Sequence, residues 1–157
     1  LMVRACRMIL CWSATNQLRR IENHLMLKYM LDTDISIYTM KRKPIEVKRL
    51  FNIHLGGICI STVTLGELIY GSENSAHPVR NLEIVEGFTG RLEVLDFDQS
   101  AARQFGQLKK ELKGQPIGAY DLMIAAHARS LGLVLVSNND REFNRVPGLR
   151  NENWVSQ

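Results

Sequence analysis

Lys28-Tyr29-Met30-Leu31-Asp32-Thr33-Asp34-Ile35-Ser36 is an apolar run that ends abruptly in two carboxylates, with a helical pattern starting at once. The run has strand character, and acids at the carboxyl end of a strand in an open α/β sheet face the crevice where ligands bind. Either acid taken alone has a plainer use, since Asp is a preferred helix N-cap. Further along, Glu67, Asp121 and Asp140 stand beside strand or helix boundaries in the same kind of pattern. Carboxylates converging from distant segments point to a divalent metal site, because hard Mg²⁺ prefers oxygen ligands.

Outward from this stretch the chain alternates. The patterning predicts strands over 27–31, 58–60, 92–95 and 133–136, with Trp154 marking a short last strand. Between them it predicts helices over 35–42 (stopped at Pro44), 45–55, from a Ser61 or Thr62 cap through Ile69, 78–88, 100–112 and 119–131. The third of these helices carries Leu65, Leu68 and Ile69 as its apolar stripe, and Gly132 ends the last. Strand–helix alternation with short apolar strands implies an α/β fold: a mostly parallel central sheet with helices on both faces, three layers in all.

The chain has 157 residues, enough for one domain with a real core and too few for two of ordinary size. Its apolar fraction of 45% and charged fraction of 23% are those of a soluble globular protein. No segment approaches the apolar length that crosses a bilayer. The net charge is +4, but residues 1–25 hold Arg4, Arg7, Arg19 and Arg20 against Glu22 and so carry +3 of it. Overall charge therefore adds little to a nucleic-acid reading, and a local basic patch would have to supply it. Residues 1–25 show no sustained period. Their short apolar run 8–14 leaves a signal peptide open, but Thr15-Asn16-Gln17-Leu18-Arg19-Arg20 follows it, which is not a clean export design. They are expected to be an upstream extension outside the fold, with the domain at 26–157.

Cys6, Cys11 and Cys59 form no disulfide framework and no zinc spacing, which fits a reducing cytoplasm. Cys59 lies in an apolar run and reads as a small core residue. His24, His54, His77 and His127 form no metal-like pair and are expected on the surface or in the core. His127 follows Asp121 by six positions, about 240° round a helix, so it points elsewhere.

Asp121 is the most informative single acid. It sits in a first helical turn after Gly118-Ala119-Tyr120, atop a stripe of Ile124, Ala125 and Ala128. A helix N-terminus favours a negative side chain, which is the plainer explanation. Glu67 falls near Val63 and Tyr70 on the wheel, off the apolar stripe, and spacing alone does not select it.

Leu31-Asp32-Thr33-Asp34, Glu67-Leu68-Ile69-Tyr70-Gly71, Tyr120-Asp121-Leu122-Met123-Ile124-Ala125 and Val136-Ser137-Asn138-Asn139-Asp140 together resemble the ordered motifs of PIN-domain nucleases. The similarity is closest to VapC-type toxins of bacterial toxin–antitoxin pairs. Pro116-Ile117-Gly118, Asn138-Asn139, Arg141-Glu142-Phe143 and Val146-Pro147-Gly148-Leu149 resemble the branch that cleaves initiator tRNA. The resemblance covers residues 26–157 and implies a Mg²⁺-dependent endoribonuclease, with Mn²⁺ as an alternative ion. It implies Asp32, Glu67 and Asp121 as catalytic metal ligands. Where the family often has an acid in a Thr-x-Asp pattern, this chain has Ser137-Asn138-Asn139, with Asp140 one residue later. Asp140 is thus a candidate fourth ligand, and Asp34, Ser137 and Asn139 are expected to support the ligands. The resemblance also implies a homodimer silenced by a VapB-type antitoxin.

The chemistry suits these residues. A phosphodiester is anionic and repels hydroxide, so its hydrolysis benefits from a cation that neutralises charge and activates water. No catalytic Ser, Cys or His is then required. Among basic residues, Lys41-Arg42-Lys43, Lys48-Arg49 and Lys109-Lys110 with Lys113 are candidates for RNA contact, Arg42 and Lys43 foremost. Two other classes remain open. Asp32-Thr33-Asp34 also resembles the opening of haloacid-dehalogenase-type phosphatases, in which an Asp is the nucleophile. A catalytically degenerate domain that only binds antitoxin or RNA is the non-enzymatic alternative.

Overall fold

The computed structural model describes residues 26–155. The expectation for residues 1–25, with Cys6, Cys11 and His24, lies outside the described residues.

The elements run β1 (Tyr29–Leu31), α1 (Thr33–Lys41), α2 (Ile45–His54), β2 (Ile58–Ser61), α3 (Thr62–Glu73), α4 (Pro78–Thr89) and β3 (Glu93–Leu95). There follow α5 (Gln99–Glu111), α6 (Ala119–Leu131), β4 (Val134–Val136), α7 (Asp140–Phe143) and β5 (Arg150–Glu152). The strands form one five-stranded sheet in the order β3-β2-β1-β4-β5, and every neighbouring pair is parallel. β1 is central, with Met30 level with Cys59 on one side and Leu135 on the other. Strand residues alternate in direction, so the sheet feeds two cores. Met30, Cys59 and Leu135 join Leu108, Ile124 and Phe143 beneath α5, α6 and α7. Tyr29, Leu31, Ile58 and Ile60 join Ile35, Phe51, Leu68 and Val85 on the other face. Each such side chain, fully buried, contributes about 1.5–3 kcal/mol. This is the three-layer α/β/α architecture that the patterning implies, with an all-parallel sheet. No helix among the described residues is long and apolar enough to cross a membrane.

The order of the strands fixes where a ligand can bind. From β1 the chain builds β2 and β3 on one side, then crosses to build β4 and β5 on the other. The crossovers diverge between β1 and β4, so a crevice opens beyond the carboxyl ends of those two strands. The residues that emerge there are Asp32 and Ser137.

Local differences from the patterning have physical causes. The first strand opens at Tyr29 rather than at Leu27, because the Lys28 and Tyr29 N–H groups both donate to the Gly57 carbonyl before the ladder begins. The first helix starts earlier, at Thr33, because Asp32 caps it. It ends at Lys41, and Arg42 closes it in the left-handed region at φ 58°. The expected stripe of α3 is corrected: Ile69 is exposed, and the row facing inward is Thr64, Leu68 and Ser72, one turn apart. Trp154 is not in the last strand, which ends at Glu152. It lies beyond, buried, with its indole edge-on to Tyr29 and tilted against His54. Cys59 is buried in the core. His127 is also buried, its Nδ1 2.9 Å from Ser61 Oγ at the end of β2.

Candidate active site

Asp32 leaves β1 at the crevice and is only 4% exposed. The Thr33 N–H donates to its Oδ1, so the carboxylate caps α1 as the plainer reading requires. Its second oxygen has another task. Ser137, at the end of β4, donates its hydroxyl to Asp32 Oδ2 at 2.5 Å. Ser137 Oγ in turn accepts the Asn139 N–H at 2.9 Å, and Asn139 Nδ2 donates to Asp121 Oδ2 at 3.2 Å. One chain of hydrogen bonds therefore runs from Asp32 to Asp121 through the segment that follows β4. On the opposite side, Thr33 donates its hydroxyl to Glu67 Oε2 at 2.5 Å. Asp32, Glu67 and Asp121 come from the end of β1, from α3 and from the first turn of α6. Neutral donors hold each of them.

Their electrostatics report burial first and crowding second. Burial pushes the Asp32 carboxyl up from 3.8 to about 6, helped by the charges of Asp121 and Asp34 and opposed by the bonds from Ser137 and Thr33. Asp121 is also pushed above the usual carboxylate range, first by burial, then by the charges of Glu67, Glu142 and Asp34, with the Asn139 bond opposing. No lysine or arginine among the described residues bridges to Asp32, Glu67 or Asp121. The negative charge of the crevice is therefore uncompensated by the chain itself.

Other sequence-derived candidates fall in different places. Asp34 is exposed at the rim, close enough for its charge to act on both Asp32 and Asp121. Asp140 turns away: its Oδ2 accepts from Asn153 Nδ2 at 2.8 Å. The acid of α7 whose charge reaches Asp121 is Glu142, which sequence reasoning passed over. Two residues apart on a helix is about 200° of rotation, so Asp140 and Glu142 cannot face the same way. Thr33 was also missed as the partner of Glu67, although its place between Asp32 and Asp34 was a signal. Arg42 and Lys43 are exposed at the far end of α1, about 15 Å along the helix from Asp32 at 1.5 Å per residue. They are not brought to the acids.

Two grooves meet at Glu67. One, of about 440 Å³, runs between α1, α3 and α4 and includes Ile37, Met40, Leu68 and Ile84. The other, of about 710 Å³, includes Thr33, Val63, Tyr70, Tyr120 and Met123.

Residues 29–149 match the PIN domain family. The chain is similar to the tRNA(fMet)-specific endonuclease VapC of Shigella flexneri, at 56% identity over 131 residues, covering 82% of this chain and 99% of that protein. It is similar to Ribonuclease VapC2 of Haemophilus influenzae at 54% identity over 132 residues, covering 83% of this chain and 100% of that one. Among solved structures it resembles the DNA-bound VapBC from Salmonella typhimurium, with a TM-score of 0.79 and 56% identity, covering 82% of this chain and 98% of that one. It also resembles VapBC2 from Rickettsia felis bound to a promoter DNA fragment, with a TM-score of 0.76 and 36% identity over 82% of this chain and 99% of that one.

Proposed function

Since this chain belongs to the PIN domain family, we propose that it is a VapC-type endoribonuclease toxin that uses a divalent cation at Asp32, Glu67 and Asp121. The observation that carries the reading is the crevice at the divergence of β1 and β4, where a buried Asp32 and half-buried Glu67 and Asp121, from three distant segments, are held by neutral donors and, among the described residues, by no cationic side chain.

The donors suit a hard cation in kind, since every one is an oxygen. Among the described residues no three acidic, histidine or cysteine side chains close round a point as they stand. Mg²⁺ keeps several waters and is usually bound through one or two carboxylates plus substrate phosphate. The raised proton affinities of Asp32 and Asp121 come first from burial and then from neighbouring negative charges, and a bound cation would offset both. Mg²⁺ is the preferred ion and Mn²⁺ the alternative. When bound, the ion supplies neutralisation of the phosphate and activation of the attacking water.

The chain's own residues do the rest. Ser137 fixes the rotamer of Asp32, Thr33 fixes Glu67, and Asn139 fixes Asp121, so the three carboxylates are oriented before substrate arrives. Glu142 adds a fourth negative group on the Asp121 side. In the metal-free protein Asp32 takes up a proton below about pH 6, so proton and cation compete for it and more Mg²⁺ should be needed as pH falls.

The relatives' names extend to substrate and partner: the RNA is initiator tRNA, and the toxin is silenced by a VapB-type antitoxin. The toxin acts in the cytoplasm as a homodimer. A phosphatase using Asp32 as nucleophile fits worse, because it needs a lysine and a second late acid beside the nucleophile, whereas no lysine among the described residues pairs with these acids and Asp140 bonds Asn153. A purely binding domain would have no need of the Thr33, Ser137 and Asn139 donors that orient the acids.

Cleavage of end-labelled total tRNA, with Mg²⁺ and with excess chelator, tests the reading. A specific cut is expected with Mg²⁺ and none with chelator, and Asp121→Asn should abolish it while preserving the circular dichroism spectrum. Chelator-resistant cleavage, or an Asp121→Asn protein that cuts normally, would refute it.

A further inference from the structure

Glu142 is tied to Arg145, one turn on, by an ion pair to Arg145 Nη2. Arg145 reaches further. Its Nη1 donates to the Gln115 carbonyl at 3.4 Å and its Nη2 to the Pro116 carbonyl at 3.5 Å, while its Nε is buried with no protein partner. The guanidinium is therefore wedged between α7 and the segment that links α5 to α6. That segment ends at Gly118, the N-cap of α6, which has no side chain to cap the helix. Gly118 lies so close to Asp121 that a Cβ there would stand 3.4 Å from Asp121 Oδ2. The Gly118 carbonyl also accepts the Leu122 N–H at 2.8 Å, so residues 115–118 lead directly into the helical turn that carries Asp121.

We propose that Arg145 is a positioning residue for the acidic site, holding Glu142 beside the crevice and fixing the 115–118 segment from which Asp121 projects. The inference rests on the reading of the site as a divalent-cation centre. Only a guanidinium does this: its planar fork offers several donors in fixed directions, so one side chain can serve a carboxylate and two carbonyls together. Lysine offers one point charge. As an ordinary surface ion pair the contact would add little and would matter only to stability. As a support for metal-binding carboxylates, its loss should appear in cation affinity, where removal of such a partner typically weakens binding roughly 10- to 100-fold.

The test uses the full chain and calorimetric titration with MnCl₂ alone, without RNA, alongside melting curves in chelator. Arg145→Met is expected to weaken Mn²⁺ binding by roughly tenfold with melting little changed, and Arg145→Lys to recover part of the loss. In a Glu142→Gln background, Arg145→Met should have a clearly smaller effect, because one of the groups it supports is gone. If Arg145→Met proves unfolded, the Lys variant decides by itself. Wild-type Mn²⁺ affinity in a folded Arg145→Met or Arg145→Lys protein, with only the melting temperature lowered, would overturn the inference. A wild-type protein that binds no Mn²⁺ would instead refute the cation-site reading, and the role of Arg145 would fall with it.

Discussion

Replacing Asp32 by Asn should make the metal-free protein more stable and inactive at once. The carboxyl of Asp32 sits at about 6 in the fold against 3.8 in the open chain, chiefly because it is buried. Between those two values the folded chain holds a proton that the unfolded chain has released. Stability therefore falls as pH rises through this window, and the whole penalty is present above it. It amounts to about 3 kcal/mol at pH 7.5 and about 1.5 kcal/mol at pH 5. The amide removes the penalty and is nearly isosteric. Its oxygen can still accept the Thr33 N–H, but its NH₂ meets Ser137 Oγ, which must stop donating. That rearrangement costs about 1 kcal/mol. The net gain is about 2 kcal/mol at pH 7.5, or about 4–8 °C in melting temperature for a domain of this size, and under about 1 kcal/mol at pH 5. Thermal unfolding of both proteins in chelator at the two pH values measures this. Adding Mg²⁺ at pH 7.5 should raise the wild-type melting temperature and leave the variant nearly unmoved. A variant no more stable than wild type at pH 7.5, or equally favoured at both pH values, would show that the buried charge of Asp32 is not destabilising and would remove the electrostatic case for a cation.

Three further outcomes are expected. Glu142→Ala should raise the Mg²⁺ concentration needed for half-maximal cleavage by several-fold, whereas Asp140→Ala, which loses only its bond to Asn153, should shift it less than twofold; the reverse order in a Mg²⁺ titration would restore Asp140 to the site. Asn139→Asp removes the donor to Asp121 and adds a like charge, so the melting temperature in chelator should fall by a few degrees and Mg²⁺ should restore it, as differential scanning calorimetry would record. A protein shortened to residues 26–157 should keep its melting temperature and its tRNA cleavage; a loss of several degrees would place residues 1–25 within the folded unit.

Much of this was legible in the chain. The apolar runs, their lengths and the caps beside them depend on neighbours within a turn or two, and the α/β alternation followed from them. The helix 119–131 was bounded correctly because Gly118 and Gly132 mark both ends. The acids Asp32 and Asp121 stood out because each interrupts an apolar pattern at an element boundary. Glu67 did not, since a helix wheel sees only its own helix, and its partner Thr33 lies 34 residues away.

The sequence by itself determined which segments become strands and helices, and that acids gather where strands end, because backbone propensity and hydrophobic period act locally. The tertiary structure alone decided which of those acids meet. The pairing of β1 with β4 brings Ser137 to Asp32 across 105 residues. The single turn of α7 then gives Asp140 to Asn153 and Glu142 to the crevice. No periodicity carries that choice, because a helix of four residues has no stripe, and its rotation is set by the packing of Phe143 into the core beneath it.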